Sequence, residues 1–437
     1  MAERIRYVFL AIFCALLCKE SIDIWMMNNG DFDRAITPFM NGIRQFSHDG
    51  TLLYTLKENF SSIVNYEYKS SFSYILYLYA YVISIFTHTF DLRLWSSLSK
   101  IVYICALYKL FVEINNKKYS YLLFPVSALL LFTPSILSQF TAFYQEQIVI
   151  TLLPVITYII LKKEISRFDK VLLVACAALI ATSKSQFFYI PILISLISII
   201  FIDIRDKKFH LAMVIATIIA LSFSFFSPSA TKNNSYHSLY FGTLLYNKSN
   251  GKENPSWAVD ECIGVDAWGN KFDLDKGAVT TEDAGACFAK NKERGLKDSL
   301  LLMLKQPSMF LLLPFDSGVR TQLTEDYFHV FKENKLIISK SVFLNEVQKI
   351  KDSALSTVRI PVAFIAMIAS LIFIRKKYSV AIFTLSAFSI SQFYISFIGE
   401  GYRDLDKHLF AMNFSFDLMI FIVLSIILDK VASGIYK

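Results

Sequence analysis

Uninterrupted apolar runs of about 17–22 residues recur along this chain, and each is long enough for a helix to cross roughly 30 Å of hydrocarbon. In lipid, only helices and closed barrels satisfy their own backbone hydrogen bonds. A barrel strand would alternate apolar and polar residues, and runs such as VLLVACAALIATS (171–183) do not. The expected fold is therefore an all-α polytopic membrane protein. Composition agrees, because 54% of the 437 residues are hydrophobic, 18% are charged and the mean hydropathy is +0.46, outside the range of soluble domains.

Spans are expected at about 5–25, 72–90, 94–113, 119–138, 146–161, 170–186, 187–203, 209–227, 358–374, 378–398 and 409–428, a bundle of about 10–11 helices. The N-terminus, MAERIRYVFLAIFCALLC, has a basic start but no small-residue cleavage site before Lys19, Glu20 and Asp23, so the first helix is expected to be retained. Three regions follow: 1–227 with a first external loop at about 26–70, a large external loop domain at 228–357, and C-terminal helices at 358–437. Within the large loop, LLLMLKQPSMFLLLPF (300–315) is apolar enough to lie on or dip into the membrane. Residues 35–65 mix apolar and polar positions at helical spacing and predict short helices along the outer surface.

The net charge of +8 sits in short clusters beside apolar runs, at Arg4 and Arg6, 161–170, 203–208 and 374–379. This is a positive-inside pattern and not a nucleic-acid patch. With those clusters inside, residues 228–357 and 399–408 lie outside and Lys430 and Lys437 inside. Counting crossings from the two ends disagrees by one, so a segment between 72 and 138 is expected to re-enter or lie flat, unless a span is cut wrongly.

Of six cysteines, Cys14, Cys18, Cys105 and Cys176 lie in apolar segments and read as packing residues. Cys262 and Cys287 share the long polar region, where a disulfide is expected in an oxidising compartment. No CxxC, His/Cys metal spacing, GxGxxG or P-loop pattern occurs, so neither a metal nor a cofactor is expected.

Unusual ionisable residues gather on the side assigned as external. Asp31, Asp33 and Arg34 follow the first span; Glu146 and Lys184 stand at span boundaries; Tyr236 and His237 open the large loop; Glu400, Arg403, Asp404, Asp406, Lys407 and His408 precede the last span. Such groups are costly to bury, so they pair, snorkel or serve function. Each has a plain alternative: Asp31 or Asp33 as a helix cap, Glu146 as the ion partner of Lys184, His408 as a packing residue at a helix start. Arg403, Lys407 and His408, at i, i+4 and i+5, would present donors to an anion from one helical face. The chemistry that uses this set is group transfer from a lipid-linked phosphate. A carboxylate takes a proton from an incoming hydroxyl while cations stabilise the departing phosphate.

GDFDRAI (30–36) just after the first helix, YHSLYFGTLLYN (236–247), GEGYRDLDKHLFAMNFSFDL (399–418) and two long external regions resemble membrane glycosyltransferases of the C-type fold. Within that class, the chain is similar to the phage-type serotype-converting O-antigen glucosyltransferases of enteric bacteria. The resemblance implies a polyprenyl-phosphate sugar donor, undecaprenyl-phosphate glucose, made and flipped by partner proteins, and an O-antigen acceptor. It also implies the bacterial inner membrane, an active site facing the periplasm, and a re-entrant segment in the front half. Carried onto this sequence, it makes Asp31 or Asp33 the general base. Arg403, Lys407 and His408 become phosphate-side residues and Glu146 and Lys184 cavity residues. Two rivals stand beside it. An O-antigen polymerase or ligase would favour arginine-rich external loops, and this chain favours lysine. A lipid-linked sugar flippase or transporter would favour mid-membrane polar residues and internal symmetry, and the sequence presents neither.

Overall fold

The computed structural model describes residues 2–41, 52–115, 120–202, 204–225, 228–282, 286–373 and 377–435. The helices that build the core and the site are α1 (Ala2–Glu20), α2 (Phe32–Ile36), α3 (Ser71–Ser84), α4 (Leu92–Ile114), α5 (Glu146–Leu161), α6 (Arg167–Ser183), α7 (Ile190–Phe201) and α8 (Lys207–Phe225) in the front half. They are followed by α9 (Pro228–Ser238), α10 (Leu296–Lys305), α11 (Val342–Leu355), α12 (Arg359–Ile372), α13 (Lys377–Glu400), α14 (Leu405–His408) and α15 (Phe410–Ile435). Six short strands, β1 (Ile24–Met26), β2 (Leu53–Thr55), β3 (Thr89–Asp91), β4 (Asn270–Asp273), β5 (Gly277–Thr280) and β6 (Ile337–Ser339), pair antiparallel as β1–β6, β2–β3 and β4–β5.

Local sequence explains where helices begin. Ser166 and Asp169 form a capping box at the start of α6: the Ser166 hydroxyl accepts from the Asp169 N–H at 3.1 Å, and Asp169 accepts from the Ser166 N–H at 2.9 Å. Lys162 then neutralises Asp169 at 2.6 Å.

The helical membrane fold is as expected, with differences in the spans. Among the described residues, Lys207–Ser224, Tyr378–Glu400 and Phe410–Val431 are long and apolar enough to cross a membrane, and counting two bent pairs as single spans raises the number from three to five. The expected span at 119–138 is absent as a straight helix. Residues 120–141 instead form a string of short α and 3₁₀ turns, and Pro134–Thr141 meets α5 at 116°. Pro125 and Pro134 lack the N–H a helix needs. Hydroxyls bond locally here, as in Ser127 Oγ to the Phe124 carbonyl at 2.9 Å, and compete with the helix ladder. This broken segment lies where a re-entrant or flat stretch was expected. The second bent pair, α11 and α12, turns by 67°. Residues 35–65 also depart from short surface helices: α2 ends at Ile36, and β2 pairs with β3. Residues 42–51 of that stretch, the clusters at 115–118, 203–208 and 374–379 in part, and Lys437 lie outside the described residues.

The long region 228–357 shares its interior with the C-terminal helices. Tyr236, Leu239, Leu244, Cys262 and Met303 pack in one buried cluster with Phe393 and Phe397 of α13, Tyr402 and Leu405. At its far end, β6 pairs with β1, in register Ile24–Ser339, Trp25–Ile338 and Met26–Ile337. Cys262 and Cys287 are disulfide-bonded, and the other four cysteines are free. The bridge closes a separation of 25 residues, for which chain entropy gives about 3.5 kcal/mol. Cys262→Ser should lower the unfolding free energy by about that amount, and reductant should mimic the substitution; an unchanged melting temperature in both would contradict it.

A buried ionic network ties the broken segment to the rest. Lys351 Nζ lies 2.6 Å from Glu325 Oε2 and 2.8 Å from Asp417 Oδ2, and donates to Thr133 Oγ1 at 3.0 Å. Arg359 pairs with the other Glu325 oxygen, and Ser135 Oγ donates to Glu325. The Lys351, Arg359 and Asp417 side chains are fully buried. Asp417 stands inside α15, so a spanning helix does carry an ionised-type residue, contrary to the sequence reading that mid-membrane polar groups are absent.

Candidate functional site

A cavity of about 560 Å³ opens where the ends of α5, α6 and α13 meet α14 and the segment before α2. Asp31 occupies the N-cap position of α2 but makes no side-chain cap bond. Asn28 Oδ1 takes that role, accepting from the N–H groups of Gly30 at 2.8 Å and Phe32 at 3.2 Å. The Asp31 carboxylate is left to pair with Lys407 Nζ at 2.6 Å and Arg34 Nη1 at 3.2 Å. The capping alternative for Asp31 therefore does not hold.

Glu146 opens α5, and Lys184 ends α6 with extended backbone, φ −151° and ψ 143°. That break turns Lys184 Nζ to within 2.7 Å of Glu146 Oε1 and 3.4 Å of His408 Nδ1. Glu400 is the last residue of α13; its Oε2 lies 3.1 Å from His408 Nε2, and its Oε1 accepts from Asn234 Nδ2 at 3.0 Å. The turn between Glu400 and Lys407 depends on Gly401, at φ +65°. A Cβ there would meet the Phe241 carbonyl at 2.4 Å and the Gly242 Cα at 2.6 Å, within a π-helical turn at Leu239–Thr243.

The wall is biased toward anions. Four cations, Arg34, Lys69, Lys184 and Lys407, line it against three carboxylates, Asp31, Glu146 and Glu400, before His408 is counted. Burial works to raise the Asp31 pKa, but Lys407 and Arg34 outweigh it and hold the carboxyl well below the usual carboxylate range. Burial likewise opposes the charge on Lys407, and Asp31 and Asp404 keep that ammonium more firmly protonated than usual. Ala181, Phe188, Ala220, Phe223, Leu296 and Leu300, from α6, the approach to α7, α8 and α10, add apolar surface to the same cavity.

Seven of the residues singled out from sequence meet here: Asp31, Arg34, Glu146, Lys184, Glu400, Lys407 and His408. Five do not. Asp33 lies two residues further round α2, where its main-chain oxygen accepts from Thr37 Oγ1 at 2.7 Å and the Tyr66 hydroxyl at 3.2 Å. Arg403 does not share a helical face with Lys407 and His408, because Gly401 and Asp404, at φ +65° and +45°, break the helix and leave only Leu405–His408. Its guanidinium pairs with Asp266 and stacks on Trp268 at 4.1 Å. Asp404 and Asp406 border a separate cavity of about 110 Å³. Burial raises the Asp406 carboxyl to about 7, although it accepts from the Phe328 N–H at 2.9 Å. Tyr236 is a core residue stacked on Tyr240.

His237 is buried, and its Nε2 accepts from the Ala267 N–H at 2.9 Å. Burial, helped by Arg403, pushes it down to about 3, so the folded state binds fewer protons than the unfolded chain between there and the ordinary histidine value. Stability from this residue is complete above about pH 6.5 and falls as the pH drops toward 3. A lower melting temperature at pH 5 than at pH 7.5, with the difference reduced in His237→Gln, is the expected result; an identical pH dependence in the variant would contradict it.

Several residues that line the cavity or touch its charged groups escaped the sequence reading. Asn234 precedes the singled-out Tyr236 by two positions, which puts the two on different faces of α9. Tyr144 holds the main chain of Met27 through its hydroxyl at 2.9 Å, and its ring lies 5.8 Å from Lys407 Nζ. With its amide turned to satisfy both neighbours, Asn29 accepts from Lys407 at 2.8 Å and donates to Asp31 at 3.1 Å. Tyr144 was legible as the neighbour of Glu146; nothing in the sequence marks Asn29.

The model of the YfdI N-terminal transmembrane domain matches residues 5–286 and 353–435. The uncharacterized protein YfdI of Escherichia coli (strain K12) is 40% identical over 437 residues, 99% of this chain and 97% of that protein. No solved structure matches the chain. A transmembrane-domain match over most of the sequence, together with helices of membrane-spanning length and apolarity, makes this a membrane protein, and the chain belongs to the YfdI transmembrane family.

Proposed function

We propose that the cavity is the active centre of a glycosyltransferase moving a hexosyl group, expected to be glucosyl, from a polyprenyl-phosphate sugar to an O-antigen or related polysaccharide acceptor. The observation that carries this reading is one cavity lined by both cations and apolar side chains, the two kinds of surface a phospholipid-like donor needs. Asp31 takes the proton of the acceptor hydroxyl, the acceptor oxygen attacks the anomeric carbon, and the bond to phosphate breaks with inversion. The phosphate leaves with its lipid, its charge met by Lys407, Lys184 and Arg34. A carboxylate clamped by two cations is a weak base. The arriving donor phosphate competes for Lys407 and Arg34, so donor binding itself restores basicity to Asp31.

The Cys262–Cys287 disulfide supports placing this side of the protein in an oxidising compartment, the periplasm beyond a bacterial inner membrane. The shorter apolar helices would then complete a C-type bundle of about 10–11 crossings. Separate proteins would make and flip the donor. Asp417 inside α15 favours a second reading, a lipid-linked sugar transporter. Mass spectra of O-antigen repeats from cells with and without the protein test the transferase reading, and hexose transfer by the purified protein from a polyprenyl-phosphate sugar separates it from the transporter. A gain of one hexose per repeat is expected; an unchanged repeat mass overturns the transferase reading.

A further inference from the structure

Trp268 is 57% exposed, yet its turn is closed by hydrogen bonds. It sits in the turn Asp266–Asn270, where Asp266 Oδ1 accepts from the N–H groups of Trp268 and Asn270, both at 2.8 Å, and Gly269 takes φ +87°. Two side chains pack against the indole. The Arg403 guanidinium lies 4.1 Å from the ring, fixed by its ion pair to Asp266, and the His237 ring lies 5.1 Å away, fixed by the Ala267 N–H.

The turn stands beside the candidate active centre. The Arg403 N–H donates to the Glu400 carbonyl at 3.3 Å, and Glu400 binds both His408 and Asn234 in the cavity wall. A short chain of contacts therefore runs from the cavity through Glu400 and Arg403 to the indole.

We infer that Trp268 is a stacking platform for a pyranose ring of the glycan acceptor, held by Arg403, Asp266 and His237 a short chain of contacts away from the cavity. This rests on the sugar-transfer reading and adds the residue that receives the acceptor. An aromatic face carries partial negative charge, and the C–H bonds on one side of a pyranose present partial positive charge to it. A guanidinium held against the ring keeps the indole from turning, while more than half of the residue stays open for contact. The surroundings suit a polar ligand: Asp260, Glu261 and Lys271 are exposed nearby in sequence, and Lys271 belongs to the strand that leaves the turn. A protein-docking hot spot would be ringed by apolar contacts.

The test uses the full-length protein in lipid nanodiscs and, as probe, O-polysaccharide released by mild acid from the producing strain. In protein labelled with fluorotryptophan, the Trp268 fluorine resonance, identified by its loss in Trp268→Phe, should shift on titration with the polysaccharide. Trp268→Ala should weaken binding at least about tenfold, and Trp268→Phe should retain most of it. No shift of that resonance, or wild-type binding in Trp268→Ala, overturns the platform and leaves Trp268 as an interfacial anchor. Hexose transfer by the wild type alongside undiminished binding by Trp268→Ala would overturn the platform alone. Binding that depends on Trp268 without any hexose transfer would uphold the platform and overturn the transferase reading.

Discussion

Asp31→Asn is expected to reduce hexosyl transfer by about 10²–10⁴-fold, the range that a positioned general base supplies. The side chain keeps its shape, and its carbonyl oxygen can still accept from Lys407, which lies 2.6 Å from Asp31 Oδ2. What disappears is the ability to take the acceptor's proton. Loss of folding is not the expected cause, because Asp31 supplies no helix cap and Asn28 does. Asp33→Asn is the control, since Asp33 lies outside the cavity wall and its main-chain oxygen, untouched by the substitution, makes its contacts to Thr37 and Tyr66. Transfer should stay within about twofold of wild type there. Measured as hexose incorporated per O-antigen repeat, full activity in Asp31→Asn would remove Asp31 from the mechanism.

The largest loss of stability is expected from Lys351→Ala, about 3–5 kcal/mol, the cost of removing one partner from a buried charge network. Lys351 contacts Glu325, Asp417 and Thr133, so its loss leaves two buried carboxylates facing Arg359 alone. Against burial, Lys351 and then Arg359 hold Glu325 below its ordinary value, and the stronger of the two supports goes. Removing one charge of each sign should be milder. Lys351→Met combined with Asp417→Asn is expected to recover part of the loss, a coupling that a double-mutant cycle reads directly from unfolding in detergent. A single-variant melting temperature equal to wild type would contradict a structural role for the network.

The membrane character was legible because twenty apolar residues in a row leave the backbone few choices. Much of the site was legible for a related reason. Asp31, Glu146, Lys184, Glu400, Lys407 and His408 stand where ionisable groups are costly, and proteins rarely tolerate them there without partners. The failures have equally physical causes. Arg403 was grouped with Lys407 on an assumed helix that Gly401 and Asp404 interrupt. His237 has the chemistry of a catalytic residue but spends it on the Ala267 N–H. The ionic network gathers Glu325, Lys351, Arg359 and Asp417 from separate segments, and no local pattern announces such a meeting.

Asp31 and Lys407 are 376 residues apart in sequence. A ribosome must therefore translate that whole intervening stretch before the acidic group acquires its counter-ion. Nascent or truncated chains lacking residues 405–435 cannot form this pair. The same separation invites a split design. Two fragments divided in the region between β5 and α10 and expressed together would each be silent, and any recovered signal would report their association within the bilayer.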